Sequence, residues 1–431
     1  MKTNRQTLRK CLTAACLLLA CTTAVQTMAA GYVKKAPYRY AENVLIRECY
    51  WPSGYIVCNS YGTAGCSFTY FTDGATSGTE MFIPVDSVYD FEVDGRYVYF
   101  CGKRSTELGP SGIMGYFRTD SLPNSTVYYF DLPWMERLRK LDIHWFDGKN
   151  RIAMIGDDIE GRSALLDMYY SSPFWQLNYG LIDTLYKCRF TDVAVTDSFV
   201  VATSAFTGNS TSWEILWFLK TSSGNDYSLL NGQKYIYNTG YTSDGTFLMD
   251  NCPGTGFATV SRDATQTINT LHVFSGRTHL ATSSFGGSAS VLKDIKQTGS
   301  YVTVLINTPS STFSKSQIFI FSPYSFLSLY KGLTYNGAFF TTLHRTGDHI
   351  LIAGEGLAND DRLYIGKFNP SGLEDICFNT LIPFPNNSQC TLTPVTIPLL
   401  TSTSLMLPQI MSTTTGSIIL TTICTNAKND Q

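Results

Sequence analysis

The feature that most constrains this chain is a hairpin that keeps returning. In "DFEVDGRYV" an acid, Asp90, stands seven residues before the aromatic Tyr97 that opens the next apolar run. The same interval separates Glu48 from Tyr55, Asp192 from Phe199, Asp250 from Phe257 and Asp294 from Tyr301. Two further units keep the frame without the acid, Trp145 before Ile152 and Thr342 before His349. Apolar and polar residues alternate on either side of each short turn, which is the period of a strand with one buried face. The second-strand openings, at 55, 97, 152, 199, 257, 301 and 349, are separated by 42, 55, 47, 58, 44 and 48 residues.

A period near 50 is too long for helical-pair solenoids of about 34 residues and falls in the range of propeller blades. Each unit supplies a third strand ending in an aromatic and a turn, as in "FTYFTDG", "IMGYFRTD" and "EILWFLKTSSG", and then a fourth, as in "TEMFIPV" and "TVYYFDLP". The expected fold is therefore all-β, a single β-propeller of four-stranded blades. The tail from 393 has room for three strands, and residues 31–43 are expected to add the fourth, closing the ring with the chain's two ends. Closure removes the exposed edges of an open array. That makes eight blades, or seven if a terminal segment is not a blade. The segment "WMERLRKL", 134–141, is expected to form a helical turn or two between blades.

Composition agrees with this class. Charged residues make up 15% of the chain, against about a quarter in ordinary domains, so charged amphipathic helices are scarce. Lys plus Arg is 32 against 34 for Asp plus Glu, a balance that draws the protein to neither nucleic acid nor an anionic membrane. The basic residues Lys2, Arg5, Arg9 and Lys10 precede a short apolar core, so 1–30 reads as a secretory signal peptide cleaved after Ala29 or Ala30, leaving 31–431 as the propeller domain. "LLLAC" offers the rival reading, a lipoprotein acylated at Cys21. Either way the expected location is outside the cytoplasm: secreted, periplasmic or on the cell surface. No later apolar run approaches the length of a membrane span. Three of the 12 cysteines lie in the signal, and the nine that remain cannot all pair within one chain. Cys58 and Cys66 flank a short loop and are candidates for a bridge, while the others in strands read as small buried hydrophobes.

The repeated "DFEVDGRYVYFCG" followed by "GYF" resembles the secreted bacterial β-propellers of unassigned activity, in the company of Kelch-like and WD40-like rings, over about residues 40–425. The Gly-His and Trp-Asp pairs of WD40 blades are missing, and "TSDGTF" has the wrong spacing for an Asp-box. The resemblance implies shape and leaves activity open.

Candidate sites lie on the loops between second and third strands. Two loops gather acids beside an arginine: Asp157, Asp158, Glu160 and Arg162, and then Glu355, Asp360, Asp361 and Arg362. As solvated turn acids they need no function. As a site they would bind calcium, or supply Asp158 and Asp361 as the paired carboxylates of glycoside cleavage. Trp51 and Trp213 are candidate exposed aromatics for a sugar ring or a protein partner. No G-x-S-x-G elbow, H-E-x-x-H helix or phosphate loop occurs, and the five histidines are scattered, so no other cofactor or metal is expected. The repeated acids Glu48, Asp90, Asp192, Asp250 and Asp294 read as a scaffold device bonding backbone, with a ring of acids around the axis as the alternative. The expected function is that of a monomeric, non-catalytic propeller binding an extracellular glycan or protein. The alternatives are a polysaccharide-active hydrolase or lyase and a structural part of a surface assembly.

Overall fold

The computed structural model describes residues 43–426 except for short internal stretches, the longest being 221–233, 377–393 and 396–402. The segment 31–42, expected to add a closing strand, and 1–30 lie outside the described residues. Within them the fold is all-β. Seven antiparallel sheets follow one another along the chain at 43–83, 87–132, 135–182, 188–242, 247–285, 291–336 and 338–395, and are called sheets 1 to 7 here. Six have four strands in sequence order, and sheet 7 adds a fifth short strand. A hairpin of Thr403–Ser412 and Ile418–Asn426 completes the chain.

The first strand of each sheet lies beside the first strand of the next, from Asn43–Tyr50 through to Ala338–Thr346. Thr403–Ser412 lies beside both of those end members. The sheets bury their faces against one another. One apolar cluster joins Phe68 and Ile83 of sheet 1 to Phe91, Phe100 and Phe117 of sheet 2, with Phe68 and Phe117 rings 5.0 Å apart. Equivalent clusters fill each later junction up to Ile320 and Ile352 between sheets 6 and 7. Each fully buried side chain of this kind contributes roughly 1.5–3 kcal/mol, so the wedge between sheets is where stability resides.

One expectation is corrected. Residues 134–141 are not helical: Met135–Phe146 is the first strand of sheet 3. Two register shifts, which leave Glu136 and Arg139 without partners in the ladder, reverse the buried face twice. Met135, Leu138 and Leu141 are therefore all buried at a spacing of three that imitates a helix. The proposed Cys58 to Cys66 bridge is absent as well. The ladder sets Cys58 against Phe68 and Cys66 against Ser60, and both thiols are free and buried.

Candidate functional site

The charged residues of the repeats converge where the first strands meet. In sheets 2, 4, 6 and 7 a bulged residue, Tyr89, Thr191, Lys293 or Thr341, drops out of the ladder just before Asp90, Asp192, Asp294 or Thr342. Such a bulge re-aims the side chain that follows it. One carboxylate oxygen then accepts from the next amide of its own strand: Phe91 N–H to Asp90 at 3.0 Å, Val193 to Asp192 at 3.0 Å and Ile295 to Asp294 at 2.8 Å. The other oxygen accepts from the first strand of the following sheet: Leu141 N–H to Asp90 at 3.3 Å, Met249 to Asp192 at 3.1 Å and Leu343 to Asp294 at 2.7 Å.

Sheets 3 and 5 do the same two residues further along. Asp142 accepts from Val195 N–H at 2.5 Å and Asp250 from Gln297 N–H at 2.6 Å. Each junction from sheet 2 to sheet 7 is thus closed by one carboxylate, alternating between two levels. Between sheets 1 and 2 an arginine takes this role, with Arg47 donating to Asp90 at 2.7 Å and to Glu92 at 3.1 Å.

The seven-residue frame had placed Glu48 and Asp250 with Asp90, and that equivalence does not hold. Glu48 pairs with Tyr55 and Asp250 with Ala258, whereas Asp90 pairs with Cys101, four residues into its second strand. Counting across the turn conceals the difference because the turns differ in length: Asp94 and Tyr97 close one hairpin, Cys252 and Gly256 the other. Asp142, which the frame passed over in favour of Trp145, is the true counterpart of Asp250.

Cations answer these acids. Lys140 lies 2.9 Å from Asp192, and Lys296 lies 3.0 Å from Asp294 and 3.9 Å from Asp250. Arg345 donates to the Gln297 carbonyl at 2.9 Å. The girdle is deep yet wetted, since the Arg47 and Lys140 side chains keep 31% and 42% of their surface open. Its charges also act across it, Lys296 on Glu92 and Asp192, and Arg47 on His344. Burial pulls Lys140 and Lys296 down, but Asp192 and Asp294 hold their pKa values above the ordinary range. His344 is uncharged at neutral pH because burial, and then Lys296 and Arg345, lower it to about 4.

Among the described residues no cation pairs with Asp142. Burial first, and then Glu92 and Asp90, raise it to about 8 against two opposing backbone hydrogen bonds, so at neutral pH it is largely the neutral acid. A carboxyl with a folded pKa above its unfolded value stabilises the protein fully below the unfolded value. That contribution is lost as pH rises through the folded one. The wild type should therefore lose stability between about pH 4 and pH 8 relative to Asp142→Asn, which keeps an acceptor for Val195 without a charge. Urea midpoints of the two proteins at pH 5 and pH 8 check this, with the gap moving in favour of Asn at the higher pH.

The loop acids are tied down. Asp158 is buried, accepts from the amides of Glu160 and Arg162 at 3.0 and 2.7 Å, and takes the Arg162 guanidinium at 2.6 Å. Burial would raise this carboxyl, but Arg162 and the two amides hold it below its ordinary range. Asp157 accepts from Arg137 at 2.8 Å and lies 3.2 Å from Arg139, and Glu160 lies 3.1 Å from Arg162. In the second cluster Glu355 pairs through its backbone with Phe339 and Leu363, while Asp360, Asp361 and Arg362 lie outside the described residues. So do Trp51 and Cys21. Trp213 pairs through its backbone with Phe206, two residues after Thr211, which pairs with Gly208.

The chain is similar in fold to a set of solved structures. One is a prolyl endopeptidase structure, at TM-score 0.50 and 8% identity, covering 88% of this chain and 53% of that one. The fold is propeller-like. Others include the β-propeller domain of the Trilobed protease from Pyrococcus furiosus, at TM-score 0.46 and 8% identity over 78% of this chain and 97% of that one. The WD40 domain of SCAP from fission yeast aligns at TM-score 0.47 and 8% identity over 78% and 84%. No protein-family model matches the sequence, and no curated protein does. At such identities the likeness concerns the fold alone. No helix among the described residues is long and apolar enough to cross a membrane.

Proposed function

We propose that the chain is an exported, non-catalytic binding propeller that takes an extracellular glycan or protein at the face formed by its second-to-third strand turns. The observation that carries this reading is the state of Asp158. A general acid needs a proton to give and a nucleophile needs a free oxygen. Asp158 is ionised, buried and spent on Arg162 and two amides. Asp90, Asp192, Asp250 and Asp294 are engaged in holding one blade to the next. Eight blades closed into a ring are part of the proposal, supported by the position of Thr403–Ser412 beside both the first and the seventh blade. So is export directed by residues 1–30, with Cys21 as the lipid anchor if cleavage falls there.

The test is to offer the protein a panel of polysaccharides. Retardation on a glycan gel, or capture of a defined envelope protein, with no new reducing ends is the expected result. Release of reducing ends or unsaturated products, abolished by Asp158→Ala or Asp361→Ala, would replace this reading with a polysaccharide-active hydrolase or lyase.

A further inference from the structure

Outside the girdle and the loops, two of the five histidines meet in blade 5. His272 lies on the third strand, Asn269–Ser275, and His279 on the fourth, Thr278–Phe285. The register runs Phe274 to His279, then Val273 to Ala281 and His272 to Thr282, which leaves Leu280 as a bulged residue. Without that bulge His279 and Thr282 would point to opposite faces. With it both join His272 on one face, and Leu280 is turned out, 54% exposed. His272 Nδ1 and His279 Nε2 lie 3.3 Å apart, and Thr282 Oγ1 is 2.9 Å from the first and 2.8 Å from the second.

We propose that His272, His279 and Thr282 bind a divalent transition-metal ion of the zinc class. Metal–nitrogen bonds of about 2.0–2.1 Å in a tetrahedral site place two ligand nitrogens about 3.3–3.4 Å apart, which is the separation already present. The two imidazoles are the principal ligands. The Thr282 hydroxyl, now at hydrogen-bond distance from both nitrogens, adds an oxygen once it moves out by about 0.5 Å, and water completes the shell from the open side, where His279 and Thr282 are half-buried. Imidazole with neutral oxygen selects zinc, copper or nickel and gives calcium and magnesium too few hard ligands.

The rings are held for this geometry. Tyr237 stacks on His279 with centroids 5.7 Å apart, Tyr241 stands edge-on to His272 at 5.2 Å, and Phe274 packs 5.1 Å from His279. Both tyrosines come from the last strand of blade 4, Lys234–Thr242, so the site sits in the cleft between two blades. A bound ion would join those blades by fixing the imidazoles against the tyrosines. This inference stands apart from the binding face proposed above.

The full chain, freed of metal with chelator, is titrated with Zn²⁺ by calorimetry and with Co²⁺ by visible absorption. One equivalent should bind, and Co²⁺ should develop the absorption of imidazole ligation. Because His272 is buried and its replacement risks the fold, His279→Gln is the decisive variant. With an unchanged circular dichroism spectrum it should bind at least about tenfold more weakly, since even lost outer partners of a metal site cost 10–100-fold. His349→Gln, in blade 7, should bind as the wild type does. Absence of binding by the wild type, or affinity within twofold of wild type in His279→Gln, overturns the site.

Discussion

Replacing Asp167 by alanine should lower the free energy of unfolding by about 3–5 kcal/mol, the cost of stranding a buried charge. Asp167 meets Arg151 in a two-point contact inside blade 3, Nε to Oδ1 at 2.7 Å and Nη2 to Oδ2 at 2.6 Å. The two side chains are 6% and 2% exposed, so neither finds water if its partner goes. The double variant Arg151→Met, Asp167→Leu should recover most of the loss, because removing both charges together spares the desolvation that each single change leaves uncompensated. Urea unfolding of the three proteins separates the terms. If the single variant lost less than about 1 kcal/mol, the pair would have to be hydrated in the native protein.

The second large effect is expected at Asp192. Its carboxylate accepts from Val193 and Met249 amides and from Lys140, at 3.0, 3.1 and 2.9 Å, and is nearly enclosed. Alanine leaves two amides without an acceptor at the junction of blades 4 and 5, at about 1–3 kcal/mol for each buried donor left unsatisfied. The Lys140 pair adds little, because that amine keeps 42% of its surface in water. A total of about 2–6 kcal/mol follows. Asn should lose about half as much, since one oxygen remains to accept. Equal loss in Ala and Asn would mean that charge, and not acceptance from the amides, holds the junction.

Much of this architecture was legible in the chain, and much of what was hidden has one physical cause. Alternation and turn residues disclosed the hairpins because burial of one face dictates both. Bulges spoil that arithmetic by inserting a residue that counts in the sequence and not in the ladder. They made Met135–Phe146 imitate a helix and kept His272 and His279 from being seen as neighbours. A signal for three of the bulges was present. Glycine recurs late in the second strand, as Gly102, Gly156 and Gly354. A Cβ there would stand 1.9, 2.3 and 2.1 Å from the carbonyl oxygens of Ser87, Arg137 and Phe339 on the bulged partner strands. The loop acids were legible as residues but not as partners, since no spacing rule reveals that Asp158 and Arg162 would consume each other.

The alternation of the girdle between two levels bears on how the molecule could have grown. Asp90, Asp192 and Asp294 follow one another at 102 and 102 residues, with Asp142 and Asp250 at the other level between them. From sheet 2 to sheet 6 the junction acid returns to its level at every second blade. Duplicating or deleting a single blade would set two acids of the same level side by side and leave a junction amide facing no carboxylate.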